Sequence, residues 1–321
     1  MKPKLQANIL PPMLAPNKVL QLDIPLSTVV WPKSVSIKYN GRRGLAMNNM
    51  WVSRSGKYIH MCAEVKERFA PILEDSDNNG IVRDGEFNST THNTVGETGS
   101  ILAGTIPMPD DFKFKCFYEI PYKFWNGPVG VKLENCIPYP SNLPRYEAVK
   151  QTTLHSLEEF ERLIEESKRL NLEGFMLIDL NSFYAHRRCD RVGEQVIQKF
   201  KYYSDPEDAK VVGVTPRQER ANPGIVKRDS FGYSEQPYTQ DSFVDTDVAG
   251  CIKAELETGE VIHAPFPVGW TIEMRQQAYR HFGTGSPHDI EGEWICFRRL
   301  NCENRGKPIS IKGVEFRDSK D

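Results

Sequence analysis

Residues 112–121 read FKFKCFYEIP, with Phe112, Phe114, Cys116 and Tyr118 on one parity and Lys113, Lys115, Phe117 and Glu119 on the other. A period of two divides side chains between the faces of a strand, so one face is packed and the other is solvated. Similar short runs recur in SVSIKY, GLAMNNMWVSRSGKYIHM, GIVRDGEF, EGFMLIDL and VIQKFKYY, punctuated by Gly, Asn and Ser. That punctuation predicts antiparallel strands and hairpins. Helices are predicted over 62–73, from Ser156 to near Asn171, and over 271–281. The second starts on SLEE, a Ser cap with Glu159 three residues on, followed by Leu157, Phe160, Leu163, Ile164 and Leu170 at helical spacing. Residues 88–104, rich in Thr, Gly and Ser, predict a loop. SDPEDAK predicts a polar hinge. From Val211 onward, short strands and turns predict a small β-barrel, with a surface loop over 226–246. The fold class expected is α+β.

The chain has 321 residues, 39% hydrophobic and 26% charged, enough for two domains of usual size. Its seven cysteines form no Cys-x-x-Cys pair, which points away from a disulfide framework or a tetrahedral zinc site and toward a reducing compartment. Prolines interrupt the apolar residues of MKPKLQANILPPMLAP, and no run approaches the roughly 18 apolar residues of a membrane span. A soluble cytoplasmic protein is expected. The net charge of −2 neither supports nor excludes a nucleic-acid partner, since NGRRG, HRRCDR and FRRL can still form a basic groove.

DSDNNGIVRDGE, residues 75–86, has the spacing of a calcium-binding loop between helices. The residues after Glu86 lack helical periodicity, no second such loop exists, and Arg83 stands at the ninth position. DSDNNG is therefore expected to be a turn feeding the strand that carries Glu86.

Lys38, at a strand end in SIKYNGRRG, precedes an Asn-Gly pair that alone would read as a hairpin turn with solvated cations. It is followed by SRSG at 53–56, DGEF at 84–87, FKCFYE at 114–119, EGFMLID at 173–179, QKFKYY at 198–203 and EFRDSK at 315–320. This ordered set, with the opening PPMLAP, resembles the covalent nucleotidyltransferase superfamily of ATP-dependent DNA ligases, RNA ligases and mRNA capping enzymes. The likeness is strongest to the short ATP-dependent DNA ligases of bacteriophages and spans nearly the whole chain.

The resemblance implies a nucleotidyltransferase domain over 1–204, with ATP-grasp-like antiparallel sheets and helices, and an OB-fold barrel over 205–321. It implies that Lys38 attacks the α-phosphorus of ATP, that Arg43 holds the ribose and that Arg54 meets the 5′-phosphate at a nick. Glu86 would hold ribose and help place a metal, with Glu173 the second metal-directed carboxylate. Phe117 would stack on adenine, Lys199 and Lys201 would grip the α-phosphate from one strand face, and Arg317 and Lys320 would orient the leaving pyrophosphate. The cofactors implied are ATP and magnesium, with manganese as a substitute. The partner is nicked duplex DNA, clasped by a monomer without a separate N-terminal DNA-binding domain.

Three positions depart from the family pattern. Asn40 replaces an Asp, Ser36 replaces the Glu that reads the adenine amino group in many relatives, and Ser319 replaces an Asp. Adenine recognition must then rest on backbone groups or another residue. RNA ligation uses the same lysine chemistry, and a non-catalytic OB-fold binder of single strands is the rival outside enzymes.

Overall fold

The computed structural model describes residues 10–317 apart from 93, 126, 128, 129, 171, 222–242, 301, 302, 305, 306, 309 and 310. Lys320, Ser319 and most of the 226–246 segment lie outside the described residues. The chain divides into two compact units, one running to Lys201 and the other beginning at Tyr202.

The first unit comprises β1 (Lys33–Lys38), β2 (Arg42–Met47), β3 (Met50–Ser53), α1 (Ala63–Asn78), β4 (Ile81–Asn88), α2 (Val95–Ala103), β5 (Lys113–Pro121) and α3 (Tyr122–Trp125). It continues through β6 (Tyr146–Ala148), β7 (Thr152–Leu154), α4 (Leu157–Ser167), β8 (Gly174–Ile178) and β9 (Ile197–Lys201). Two sheets result, ordered β3-β2-β4-β5-β6 and β7-β1-β8-β9, antiparallel except for the parallel β5/β6 pair. Leu45, Val82, Tyr118 and Ile120 of the first sheet pack with Ile178 and Ile197 of the second. On the outside of the first sheet, Phe69 and Ile72 of α1 and Ile101 of α2 meet Trp51, Phe87 and Phe114. Outside the second, Phe160 of α4 stands edge-on to Phe175 and Phe200.

The face-by-face reading of FKFKCFYEIP holds only to Cys116. Asp84 pairs with Tyr118 while the next residue, Gly85, pairs with Cys116, so Phe117 is the extra residue of a β-bulge. Phe112, Phe114 and Cys116 face the helices, whereas Tyr118 and Ile120 beyond the bulge join the core between the sheets.

Other expectations shift for identifiable reasons. DSDNNG is largely helical, since α1 runs on to Asn78 before Asn79 and Gly80 turn the chain into β4. The acidic residues that favour a turn have tertiary partners instead. Arg83 bonds Asp75 at 2.5 Å and Ser76 at 3.2 Å, and Tyr122 donates to Asp77 at 2.7 Å. The cation at the ninth calcium position thus neutralises the carboxylate at the first. Within 88–104 the expected loop contains α2, capped by Thr94, whose hydroxyl accepts from the Glu97 N–H, and ended by Gly104 in the left-handed region. Thr94-x-x-Glu97 and Gly104 were the signal, obscured by Gly96 and Gly99. Asn40-Gly41 closes no hairpin, because β1 and β2 belong to different sheets. The true hairpin is β2/β3, turned by Asn48 and Asn49 with φ of 49° and 53°.

The helix expected from Ser156 is α4, with Ser156 as its cap, and it ends in a 3-10 turn at Lys168–Leu170. Glu207 to Lys210, read as part of a hinge, belong to the opening strand of the second unit.

That unit contains β10 (Glu207–Arg220), β11 (Phe243–Glu255), β12 (Val261–Ala264), α5 (Ile272–His281), β13 (Trp294–Arg299), β14 (Glu303–Asn304), β15 (Lys307–Pro308) and β16 (Ile311–Arg317). Its main sheet is antiparallel, ordered β12-β11-β10-β13-β16, and no ladder joins its edges among the described residues. The strands of the expected barrel are present, but their hydrogen bonding leaves an open sheet. Phe243 to Thr246, expected in a loop, are strand; β10 and β11 extend as a long ladder with register shifts on either side of Pro216. A bulge is where a strand tolerates a residue without an N–H.

Candidate active site

Between the two sheets of the first unit lies a cavity of about 690 Å³, walled by residues of β1 to β5, β8 and β9. Lys38 is the last residue of β1, where Asn40-Gly41 carries the chain from one sheet to the other. Its Nζ donates to Glu173 Oε2 at 2.5 Å. Lys201 lies 2.6 Å from Glu173 Oε1, so one buried carboxylate bridges two ammonium groups. Register explains the meeting: Gly174, next to Glu173, pairs with Lys38 on one side and Lys201 on the other.

Gly174 has φ of 149°, and a Cβ there would lie 2.0 Å from the Phe200 carbonyl oxygen. Gly174→Ala is expected to destabilise the protein by about 3 kcal/mol through strain and strand displacement. Its denaturant midpoint measures the loss. A wild-type midpoint would show that the strands accommodate the methyl group.

Lys199, two residues before Lys201, also lines the cavity. Burial, aided by the nearby charges of Lys201, Lys38 and Arg188, lowers its pKa to about 8. Its charged form is disfavoured by folding, so this group makes the unliganded protein more stable as pH rises from about 8 toward 10.5. A bound anion favours the opposite state, and anion affinity should fall over the same range. Lys199→Met should stabilise the unliganded protein at pH 7 by about 1 kcal/mol, a modest gain because the side chain is half solvated. Thermal melts between pH 7 and 10 test this; a variant no more stable than the parent at pH 7 contradicts it.

Glu86 on β4 is half-buried and accepts the Gly41 N–H at 2.6 Å. That approach requires glycine, since a Cβ on Gly41 would sit 2.1 Å from the Phe87 carbonyl oxygen. Burial pushes the Glu86 carboxyl up to about 7, against the opposing influence of Lys38, the Gly41 N–H and Arg43, while Glu173 adds to the rise. Glu173 is not a wall residue; it sits beneath the Lys38 and Lys201 ammonium groups.

Arg43 forms two bonds to buried Asp84, at 2.8 and 2.6 Å, and its guanidinium lies 5.7 Å from the Phe117 ring centroid. Burial alone would lower its pKa, but the Asp84 charge and hydrogen bonds keep Arg43 charged. Tyr184 donates to the same carboxylate at 2.6 Å and accepts the Met13 N–H at 3.1 Å. Asp84 and Tyr184 therefore aim Arg43. Asp84 was visible in DGEF beside Glu86, but Tyr184 arrives from a loop with no local signal.

Phe117, the bulged residue, faces the cavity and lies nearly parallel to Tyr39, with centroids 6.5 Å apart. Arg54 is exposed at the mouth, on a turn closed by the Ser53 N–H to Lys57 carbonyl bond. Arg42, Lys57 and Arg188 also line the wall, and sequence reasoning missed all three. Arg188 belongs to HRRCDR, which read only as a general basic cluster. Its loop is tied to PPMLAP by the Leu14 N–H to Arg187 carbonyl bond and the Cys189 N–H to Leu14 carbonyl bond.

Among the described residues, eight cations line the cavity against one lining carboxylate, Glu86. Such a field suits a polyphosphate. Arg317 lies in the second unit, on β16, 3.6 Å from Asp208.

No protein-family model matches the sequence, and no curated protein matches it significantly. Solved structures do match the fold. One, from a study of DNA binding with a minimal scaffold by Lig E DNA ligases, superposes with a TM-score of 0.56 and 19% identity, covering 89% of this chain and 92% of that one. The fold is shared with DNA ligases. A structure named Pmar-Lig_PreS3 superposes with a TM-score of 0.62 and 16% identity, covering 97% of this chain and 67% of that one. Among the described residues, no helix is long and apolar enough to cross a membrane, and no cluster of three or more His, Cys, Asp or Glu side chains is placed to hold a metal ion.

Proposed function

We propose that this chain is an ATP-dependent DNA ligase that seals 3′-hydroxyl/5′-phosphate nicks. The observation that carries the reading is Lys38 held by Glu173 at a cavity walled by cationic side chains. The first unit is read as the nucleotidyltransferase domain and the second as a divergent OB-fold, with the division expected at residues 204/205.

The Lys38 amine attacks the α-phosphorus of ATP, forming a phosphoramidate to AMP and releasing pyrophosphate. Lys199 and Lys201 take up α-phosphate charge, and Arg43 and Glu86 orient the ribose. The 5′-phosphate at a nick, met by Arg54, then displaces Lys38 and receives AMP. Attack by the 3′-hydroxyl forms the phosphodiester bond and releases AMP. Arg317 and Lys320 are assigned to the leaving pyrophosphate.

Glu86 and Glu173 fit a divalent cation of the magnesium type, since carboxylate oxygens can accept more than the bonds they make here and such an ion needs few protein ligands. Bound there, magnesium or manganese would offset phosphate charge.

Incubation with α-labelled ATP and magnesium, followed by nicked duplexes with DNA or RNA on either side of the break, tests the reading. A covalent nucleotide and preferential sealing of DNA are expected. No adduct defeats the enzyme assignment, and preferential sealing of RNA moves the protein to RNA ligation.

A further inference from the structure

The many cations of the cavity suit phosphate, but among the described residues its lining also contains one carboxamide, Gln151. Gln151 sits where the chain crosses between sheets, after β6 and directly before β7. It also bridges them through its side chain. Its Nε2 donates to the Phe117 carbonyl oxygen of β5 at 3.3 Å, and its Oε1 accepts from Ser34 Oγ of β1 at 2.9 Å.

These two bonds orient the amide. The Phe117 carbonyl can only accept, so it selects Nε2 and leaves Oε1 toward Ser34, whose hydroxyl can donate. Each end retains capacity for one more bond: Nε2 a second N–H and Oε1 a second lone pair. One donor and one acceptor therefore remain on neighbouring atoms of the amide. The amide is anchored to the backbone of Phe117, whose ring lines the same cavity, and Ser36 lines it from β1.

We infer that Gln151 is a specificity-determining residue that reads the base of the bound nucleotide and selects adenine. Adenine offers the N6 amino group as donor next to a ring nitrogen acceptor, the complement of Oε1 and Nε2. Hypoxanthine and guanine carry a carbonyl oxygen at position 6 and a hydrogen on N1, reversing that pattern. Turning the amide to suit them would set Oε1 against the Phe117 carbonyl, leaving two acceptors face to face. The inference rests on the proposed nucleotide site, but its test does not depend on covalent chemistry.

The test is equilibrium binding of AMP and IMP to the full chain and to Gln151→Ala, by calorimetry or competition, with adduct formation measured separately. The parent should bind AMP at least about tenfold more tightly than IMP. In Gln151→Ala the two affinities should come within about threefold, mainly through weaker AMP binding. A parent with no preference, or a variant that weakens both ligands equally, overturns the inference. The second result would show that Gln151 only braces Phe117. AMP preference without an adduct supports Gln151 while defeating the ligase reading; an adduct formed equally from ATP and ITP does the reverse.

Discussion

Lys38→Ala is expected to form no covalent nucleotide with ATP and to seal nicks at least about 10⁴-fold more slowly than the parent, as for removal of any attacking nucleophile. The same variant should seal a nick already carrying 5′-AMP within about tenfold of the parent rate. In the proposed reaction the lysine bonds the nucleotide only in the first two steps, and the last needs only the 3′-hydroxyl and a bound adenylate. Side-by-side single-turnover assays on the plain and adenylated nicks measure the split. Equal loss on both would mean that Lys38 acts by holding the site together. An adduct that persists in the variant would place the nucleophile elsewhere.

Glu173→Ala should have the next largest effect, and it should appear in two measurements. Removing this buried carboxylate leaves the Lys38 and Lys201 ammonium groups, 2.5 and 2.6 Å from its oxygens, without their shared counter-charge. A loss of about 3 kcal/mol in unfolding free energy is expected, the usual result of breaking a buried pair from one side. Adduct formation should fall about a hundredfold because Lys38 is no longer held toward the cavity. Glu173→Gln should recover part of the stability, since its amide oxygen still accepts from one lysine, but not the two-sided bridge. Unfolding titrations and adenylation rates on both variants decide the matter. A stable, active Glu173→Ala would mean the bridge is incidental.

Much of the local structure was legible because local rules suffice there. Ser156 with Glu159 caps α4, and Thr271 caps α5 by accepting the Met274 N–H. Lys199 and Lys201 share a face because strand side chains alternate, and EGFMLID forms β8 because its apolar run suits a strand buried between neighbours. The misreadings occurred where distant contacts override local preference. Asp75 and Asp77 extend a helix because Arg83 and Tyr122 receive them. Tyr118 changes face because the β4/β5 register slips by one residue, which no alternation pattern in a single strand reveals.

By itself the sequence determined the residue types and order of the candidate site: an amine at residue 38, carboxylates at 86 and 173, and paired lysines at 199 and 201. It did so because motif spacing and strand periodicity are properties of the chain. Only the tertiary structure decided that Glu173 bridges two of those lysines, that Asp84 and Tyr184 aim Arg43, that Arg188 joins the wall and that Gln151 spans the sheets. The Glu173 bridge depends on register between strands far apart in sequence, and Tyr184, Arg188 and Gln151 lie in connections that packing brings to the sheets; neither is set by neighbours along the chain.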